Sequence, residues 1–231
     1  MLKKESDDYI EESKDKFTKR ADKFDSVSGM KHSRQDMLHN PRTYFLATII
    51  GIVLYLVLDI IAQLLPPHYS PITQAESFLA IGPYGYIMTV NFLIRGLLSL
   101  SFIIGLIINF NSKKSHYRIG LILLGIWSIG AFILAFFPAD LTPPATIHGT
   151  IHIITALAAF LGGCLGILAL SLRMRTDDEF KGIIKIALPL SIFSVISLAF
   201  LPLPVTGLIE RIFLASVLLW MLIISIYLLK K

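Results

Sequence analysis

Residues 137–152 read FPADLTPPATIHGTIH, which sets an acid and two histidines at the mouth of an apolar helix. His148 and His152 are one helical turn apart, so they project from one face, with Thr155 on the same side. Asp140 stands just ahead of them, before a double proline (Pro143, Pro144) that marks a helix start. Asp140, His148 and His152 are workable ligands for zinc, which takes tetrahedral nitrogen and oxygen donors and keeps one position for water in catalytic sites. Zinc-bound water ionises at a pH of about 7 and attacks esters or amides. The pattern falls short of a metallohydrolase motif, because no HExxH glutamate and no histidine cluster on another apolar segment accompanies it. The same residues suit two other roles. The histidines can hydrogen-bond Asp140 and neighbouring helices, or they can bind a lipid headgroup or other anion at the positive end of the helix.

Further polar groups lie within apolar segments: Asp59, Asn91, Arg95, Glu210 and Arg211. An ionisable residue inside a membrane helix costs a few kcal/mol on insertion scales and turns toward the bundle interior. Arg95 lies roughly eleven residues, or about 16 Å, from the nearer end of its segment, close to mid-membrane. Every other charged member of this group falls in the outer half of the membrane, as do His148 and His152. A shared polar cavity opening outward accounts for that, with Glu76, in the segment 66–83, pointing in. An ion pair of Arg95 with Asp59 or Glu210 that only fixes helix packing is the competing reading. One of Glu210 and Arg211 can equally snorkel to the interface.

These groups need helices to position them. The chain has 231 residues, 55% of them hydrophobic, and a mean hydropathy of +0.71, more apolar than soluble domains require. Residues 1–43 hold ten Lys/Arg and nine Asp/Glu, while the other 188 hold eleven and seven. The net charge of +5 is therefore no nucleic-acid footprint. Six apolar stretches, at about 44–65, 84–110, 118–138, 144–172, 183–202 and 206–229, approach or exceed the roughly 20 residues that cross a bilayer. The expected fold is an all-α integral membrane protein, a bundle of six transmembrane helices. Lys113, Lys114, Arg118, Arg173, Arg175, Lys181, Lys185, Lys230 and Lys231 lie on one side, and the three other loops carry no Lys or Arg. Both termini are therefore expected in the cytoplasm. Leu65-Pro66, Phe137-Pro138 and Leu201-Pro202 stop the outward helices.

Residues 1–43 form a separate charged segment ahead of the transmembrane domain, 44–231. Tyr9, Phe17 and Phe24 are seven or eight residues apart and give a thin apolar stripe on a charged helix. Such a helix can lie on the inner leaflet or dock a cytoplasmic partner; a solvated tail is the plainer alternative. Cys164, the only cysteine, excludes an internal disulfide. Gly162, Gly163 and Gly166 with Ala158 and Ala159 make small-xxx-small pairs suited to close helix packing.

Three stretches carry a family likeness: Glu76-Ser-Phe-Leu-Ala-Ile-Gly82 running into Tyr84-Gly-Tyr-Ile-Met-Thr-Val-Asn-Phe92 and Gly96; Phe137-Pro138-Ala-Asp140 followed by His148-Gly149 and His152; and Gly207-Leu-Ile-Glu-Arg211. Through them the chain resembles the bacterial and archaeal six-span membrane family described as domain of unknown function number 998. The resemblance covers about residues 44–229. It implies six helices and a membrane location and carries no established chemistry; the plasma membrane is the expected location. Arg95 stands where the pattern leads one to expect an apolar residue. The function expected first is binding or handling of a membrane lipid or small amphiphile from the outer leaflet, with no cofactor. The alternative is a metal-dependent hydrolase using Asp140, His148 and His152 with zinc. A transporter comes third, since paired broken helices and polar groups in the inner half are lacking.

Overall fold

A computed structural model describes residues 40–65, 67–110, 114–142 and 144–231. Most of the charged segment 1–43, with Tyr9, Phe17 and Phe24, lies outside the described residues, as do Pro66, Lys113 and Pro143. The uninterrupted apolar runs form six α-helices: α1 Pro41–Leu64, α2 Gly85–Phe110, α3 Lys114–Leu134, α4 Ile147–Met174, α5 Ile184–Ala199 and α6 Thr206–Leu229. Short 3-10 turns occur at Glu76–Ala80 and Asp178–Phe180, and no strand occurs among the described residues. All six helices belong to one unit, Pro41–Lys231.

Five of the helices are long and apolar enough to cross a membrane. The other, α5, has 16 residues. At 1.5 Å per residue it spans about 24 Å, short of the roughly 30 Å hydrocarbon layer. The expected stretch 183–202 was longer because the apolar run continues into a turn, where Phe200 N–H bonds Ser197 O at 3.1 Å and Leu203 N–H bonds Phe200 O at 3.1 Å. Two other boundaries move for similar reasons. α3 stops at Leu134 rather than 138, where Phe136 N–H turns back to Ile133 O at 3.0 Å. α4 starts at Ile147 rather than 144, because Thr146 and not the double proline caps it.

The bundle is apolar outside and partly polar inside. α1 exposes Leu46, Ile50, Val53, Leu54, Val57 and Ile61, while Thr48, Ser99, Ser171, Ser191, Ser194 and Ser225 are fully buried. Continuous exposed apolar flanks with small polar residues inward suit hydrocarbon as the solvent. The chain is a multi-pass helical membrane protein.

Each helix packs on its sequence neighbours, and α6 returns to α1. An aromatic core fills the middle: Phe102 meets Trp220 edge-on at 5.8 Å, Trp127 meets Phe213 at 6.0 Å, and Phe160 lies 4.9 Å from Phe213. Both indole N–H groups are satisfied, Trp127 by Ser99 Oγ at 3.0 Å and Trp220 by Ser171 Oγ at 2.9 Å. The small residues of α4 make its contact with α3. A Cβ at Gly162 would lie 2.7 Å from Leu123 O, and one at Gly163 would lie 2.8 Å from the Trp127 ring. Gly162→Val should therefore cost roughly 1–3 kcal/mol. Thermal unfolding in detergent measures this, and an unchanged midpoint would count against close α3–α4 packing.

Candidate functional site

The site forms at the end of the bundle that carries the segment 67–83, and the first turn of α6 anchors it. Gly207 has no side chain to keep this segment away: a Cβ there would overlap Gln74 O and lie 2.7 Å from Pro71 O. Leu208 N–H then bonds Ile72 O at 3.0 Å. Arg211 donates to Pro71 O at 3.2 Å and to the Tyr69 hydroxyl at 2.9 Å, and its guanidinium lies 5.3 Å from the Tyr69 ring centre. Its Nη2 is also 3.9 Å from Asp59 Oδ1. Glu210 Oε2 accepts the Glu76 N–H at 2.8 Å. At the far end of the segment, Gly82 takes φ +99°, and Gly85 lets α2 start against Ala80 O. The motif 207–211 thus acts as a clamp that holds Glu76 in place.

Glu76 is 1% exposed. The Tyr55 hydroxyl donates to its Oε1, and Arg95 Nη1 lies 3.7 Å from its Oε2, beyond hydrogen-bond reach. Asp59, one turn along α1 from Tyr55, accepts from Gln63 Nε2 at 2.5 Å. Asp59, Glu76 and Glu210 therefore share the neighbourhood with two guanidiniums, Arg95 and Arg211. Burial, reinforced by the Asp59 charge and opposed by Arg95, pushes the Glu76 carboxyl up to about 8. Glu76 then holds a proton at neutral pH, so its contact with Arg95 is charge to dipole rather than a full ion pair.

Arg95 is 1% exposed and lies over two aromatic rings, Phe92 and Trp127, each centred 4.9 Å from its guanidinium carbon. Its Nε and Nη2 have no hydrogen-bond partner among the described residues. Beside it is a cavity of about 370 Å³. The walls are mainly apolar, with Phe78, Phe92, Leu134, Ile153, Ala156, Leu157, Phe160 and Leu201, and Arg95, Asp140, His152, Thr206 and Glu210 are set among them. Ile153 and Leu157 line the cavity and are also exposed on the apolar flank of α4.

The stretch that suggested a metal is arranged differently from a ligand set. Both Asp140 oxygens are engaged by Thr146, from its N–H at 2.7 Å and its hydroxyl at 2.8 Å. Thr146 caps α4 by accepting the Gly149 N–H at 3.0 Å. His152 is buried and its Nδ1 donates to Phe137 O at 2.7 Å, whereas His148 is exposed and lies over Phe137 with ring centres 5.4 Å apart. Among the described residues, no group of three His, Cys, Asp or Glu side chains is placed to hold a metal ion. Gly149 is part of the cap, since a Cβ there would overlap Asp140 Oδ2. Asp140→Ala should cost about 1 kcal/mol through this cap. Thermal unfolding in detergent checks it; no loss would mean that Asp140 does not organise the start of α4.

Of the nine residues expected to converge, Asp59, Glu76, Arg95, Glu210 and Arg211 form the charged cluster. Arg95, Asp140, His152 and Glu210 line the cavity. Asn91 is fully buried, with Nδ2 3.9 Å from Met88 Sδ, and His148 turns outward; neither lines the cavity. Tyr55 and Tyr69 were missed. Tyr55 had a signal, lying four residues before Asp59 and therefore on the same helix face. Tyr69 had none, because its contact with Arg211 crosses 142 residues of chain.

The family model for Protein of unknown function (DUF998) matches residues 49–227, and the chain belongs to this family. No curated protein matches the chain, and no solved structure does. All three stretches that carry the resemblance contribute to one end of the bundle: 76–92 supplies Glu76 and Gly85, 137–152 supplies Asp140 and His152, and 207–211 supplies the clamp.

Proposed function

We propose that this member of the DUF998 family crosses the plasma membrane six times, keeps both termini in the cytoplasm, and binds a lipid or small amphiphile in the cavity beside Arg95. The absence of Lys and Arg from the sequence of the segments 66–83, 135–146 and 200–205 supports that orientation, with the cavity toward the outer leaflet. For α5, the apolar turns around Ile183 and Phe200 extend the crossing. One observation carries the binding reading: a buried guanidinium with unpartnered N–H groups beside a cavity whose walls are otherwise mostly apolar. An amphiphile supplies acceptors for the first and a chain for the second. Because Ile153 and Leu157 are both wall and exposed flank, its route in is sideways, from the leaflet.

Native mass spectrometry of the full chain, purified in mild detergent and exposed to a total lipid extract, tests this reading. A bound amphiphile at one copy per chain is the expected result, with loss of that species in Ala156→Trp, which fills the cavity. Protein that stays empty, or equal binding by the filled variant, would overturn it.

A further inference from the structure

Resting on that reading and deepening it, we propose that the ligand's head is an oxyanion with two oxygens on one atom, a carboxylate or a phosphate, that docks edge-on against Arg95. The guanidinium has three edges. One carries Nη1, which faces Glu76 Oε2 at 3.7 Å. The unpartnered nitrogens are Nε and Nη2. Their N–H bonds run parallel along a single edge, the fork that matches the two oxygens of a carboxylate or phosphate. The ring centres of Phe92 and Trp127 each lie 4.9 Å from the guanidinium carbon, and the Nε and Nη2 edge is closed to solvent, so the head reaches it by displacing atoms of the cavity wall. A hydroxyl or amide head offers one neutral oxygen for both N–H bonds to share, a weaker match than two charged oxygens.

The other ionisable groups on the cavity wall each have a hydrogen bond within the protein. Glu210 Oε2 holds the Glu76 N–H, both Asp140 oxygens hold Thr146, and His152 Nδ1 holds Phe137 O. Arg95 is the fixed cation among the lining residues, which suits it to an anionic head. The volume of about 370 Å³ is near the low end for ligand pockets. It suits a head with one chain or part of one, and a second chain would remain in the bilayer beyond Ile153 and Leu157.

The test uses four probes on the full chain in a neutral detergent, with binding read by native mass spectrometry: dodecanoate, dodecyl phosphate, dodecanol and dodecylamine. At least one oxyanion probe should bind about tenfold or more tighter than dodecanol. Preference for dodecanoate points to a fatty acid, and preference for dodecyl phosphate points to a phospholipid or lipid phosphate. Arg95→Lys keeps the charge but removes the fork, and should lose most of the preference. The probe comparison on the unmutated protein stands even where that variant fails to fold. Dodecanol binding as tightly as the oxyanions, or dodecylamine binding more tightly, would overturn the oxyanion head and leave the amphiphile reading intact. Failure of all four probes would overturn both.

Discussion

Raising the pH from about 4.5 to about 8 should destabilise the detergent-solubilised protein, and Glu76→Gln should remove most of that slope. Glu76 is enclosed by Tyr55, Arg95 and the α6 clamp, and burial favours its neutral form. Its folded value, about 8, lies above the ordinary 4.5, so the folded chain holds this proton more tightly than the unfolded chain does. The resulting stabilisation is complete below 4.5 and is lost as the pH rises through about 8. At about 1.4 kcal/mol per pKa unit, the full span corresponds to several kcal/mol. The substituted amide still accepts from the Tyr55 hydroxyl but has no proton to lose, so the variant isolates the ionisation from the packing. Denaturation midpoints over this pH range, measured for both proteins, decide the matter. Parallel curves would mean that Glu76 does not hold its proton in the fold.

The helices were legible because insertion into hydrocarbon demands long uninterrupted apolar runs, and those runs can be read residue by residue. Their ends were less so. Apolar residues such as Phe136 and Phe200 read as span but sit in turns, since hydropathy cannot show where backbone hydrogen bonds change from i−4 to i−3. The charged cluster was half legible. Arg95 and Glu76 stood out as ionisable residues in or beside apolar segments, and Glu76 does point inward. Their partnership did not stand out, because it depends on Gly207 letting a loop lie directly on α6, and a glycine reads the same whether it is idle or in contact. Gly125 and Gly207 are both helical, yet a Cβ at Gly125 would meet nothing within 4 Å and one at Gly207 would strike two carbonyl oxygens. The histidine stretch differs for another reason. His148 and His152 have the spacing for a metal, with Asp140 ahead of them, but Thr146 takes both Asp140 oxygens and His148 faces outward.

That contrast between two glycines gives the second large effect: Gly207→Ala should be far more disruptive than Gly125→Ala. The added methyl would overlap Gln74 O and meet Pro71 O at 2.7 Å, and both are backbone, so the loop must move. Movement strains three bonds at once: Leu208 N–H to Ile72 O, Arg211 to Pro71 O, and Glu76 N–H to Glu210. At about 1 kcal/mol for each bond, with overpacking added, the loss is roughly 3 kcal/mol or more. Gly125→Ala should be neutral or gain up to about 1 kcal/mol, because alanine favours helix and the space is open. The loop also supplies Ala75, Ser77 and Phe78 to the cavity, so Gly207→Ala should weaken amphiphile binding while Gly125→Ala leaves it unchanged. Thermal unfolding and native mass spectrometry on the two variants read both consequences. If Gly207→Ala lost stability but kept full binding, the clamp would matter to the fold alone, and the link from the 207–211 motif through Glu76 to the cavity would fail.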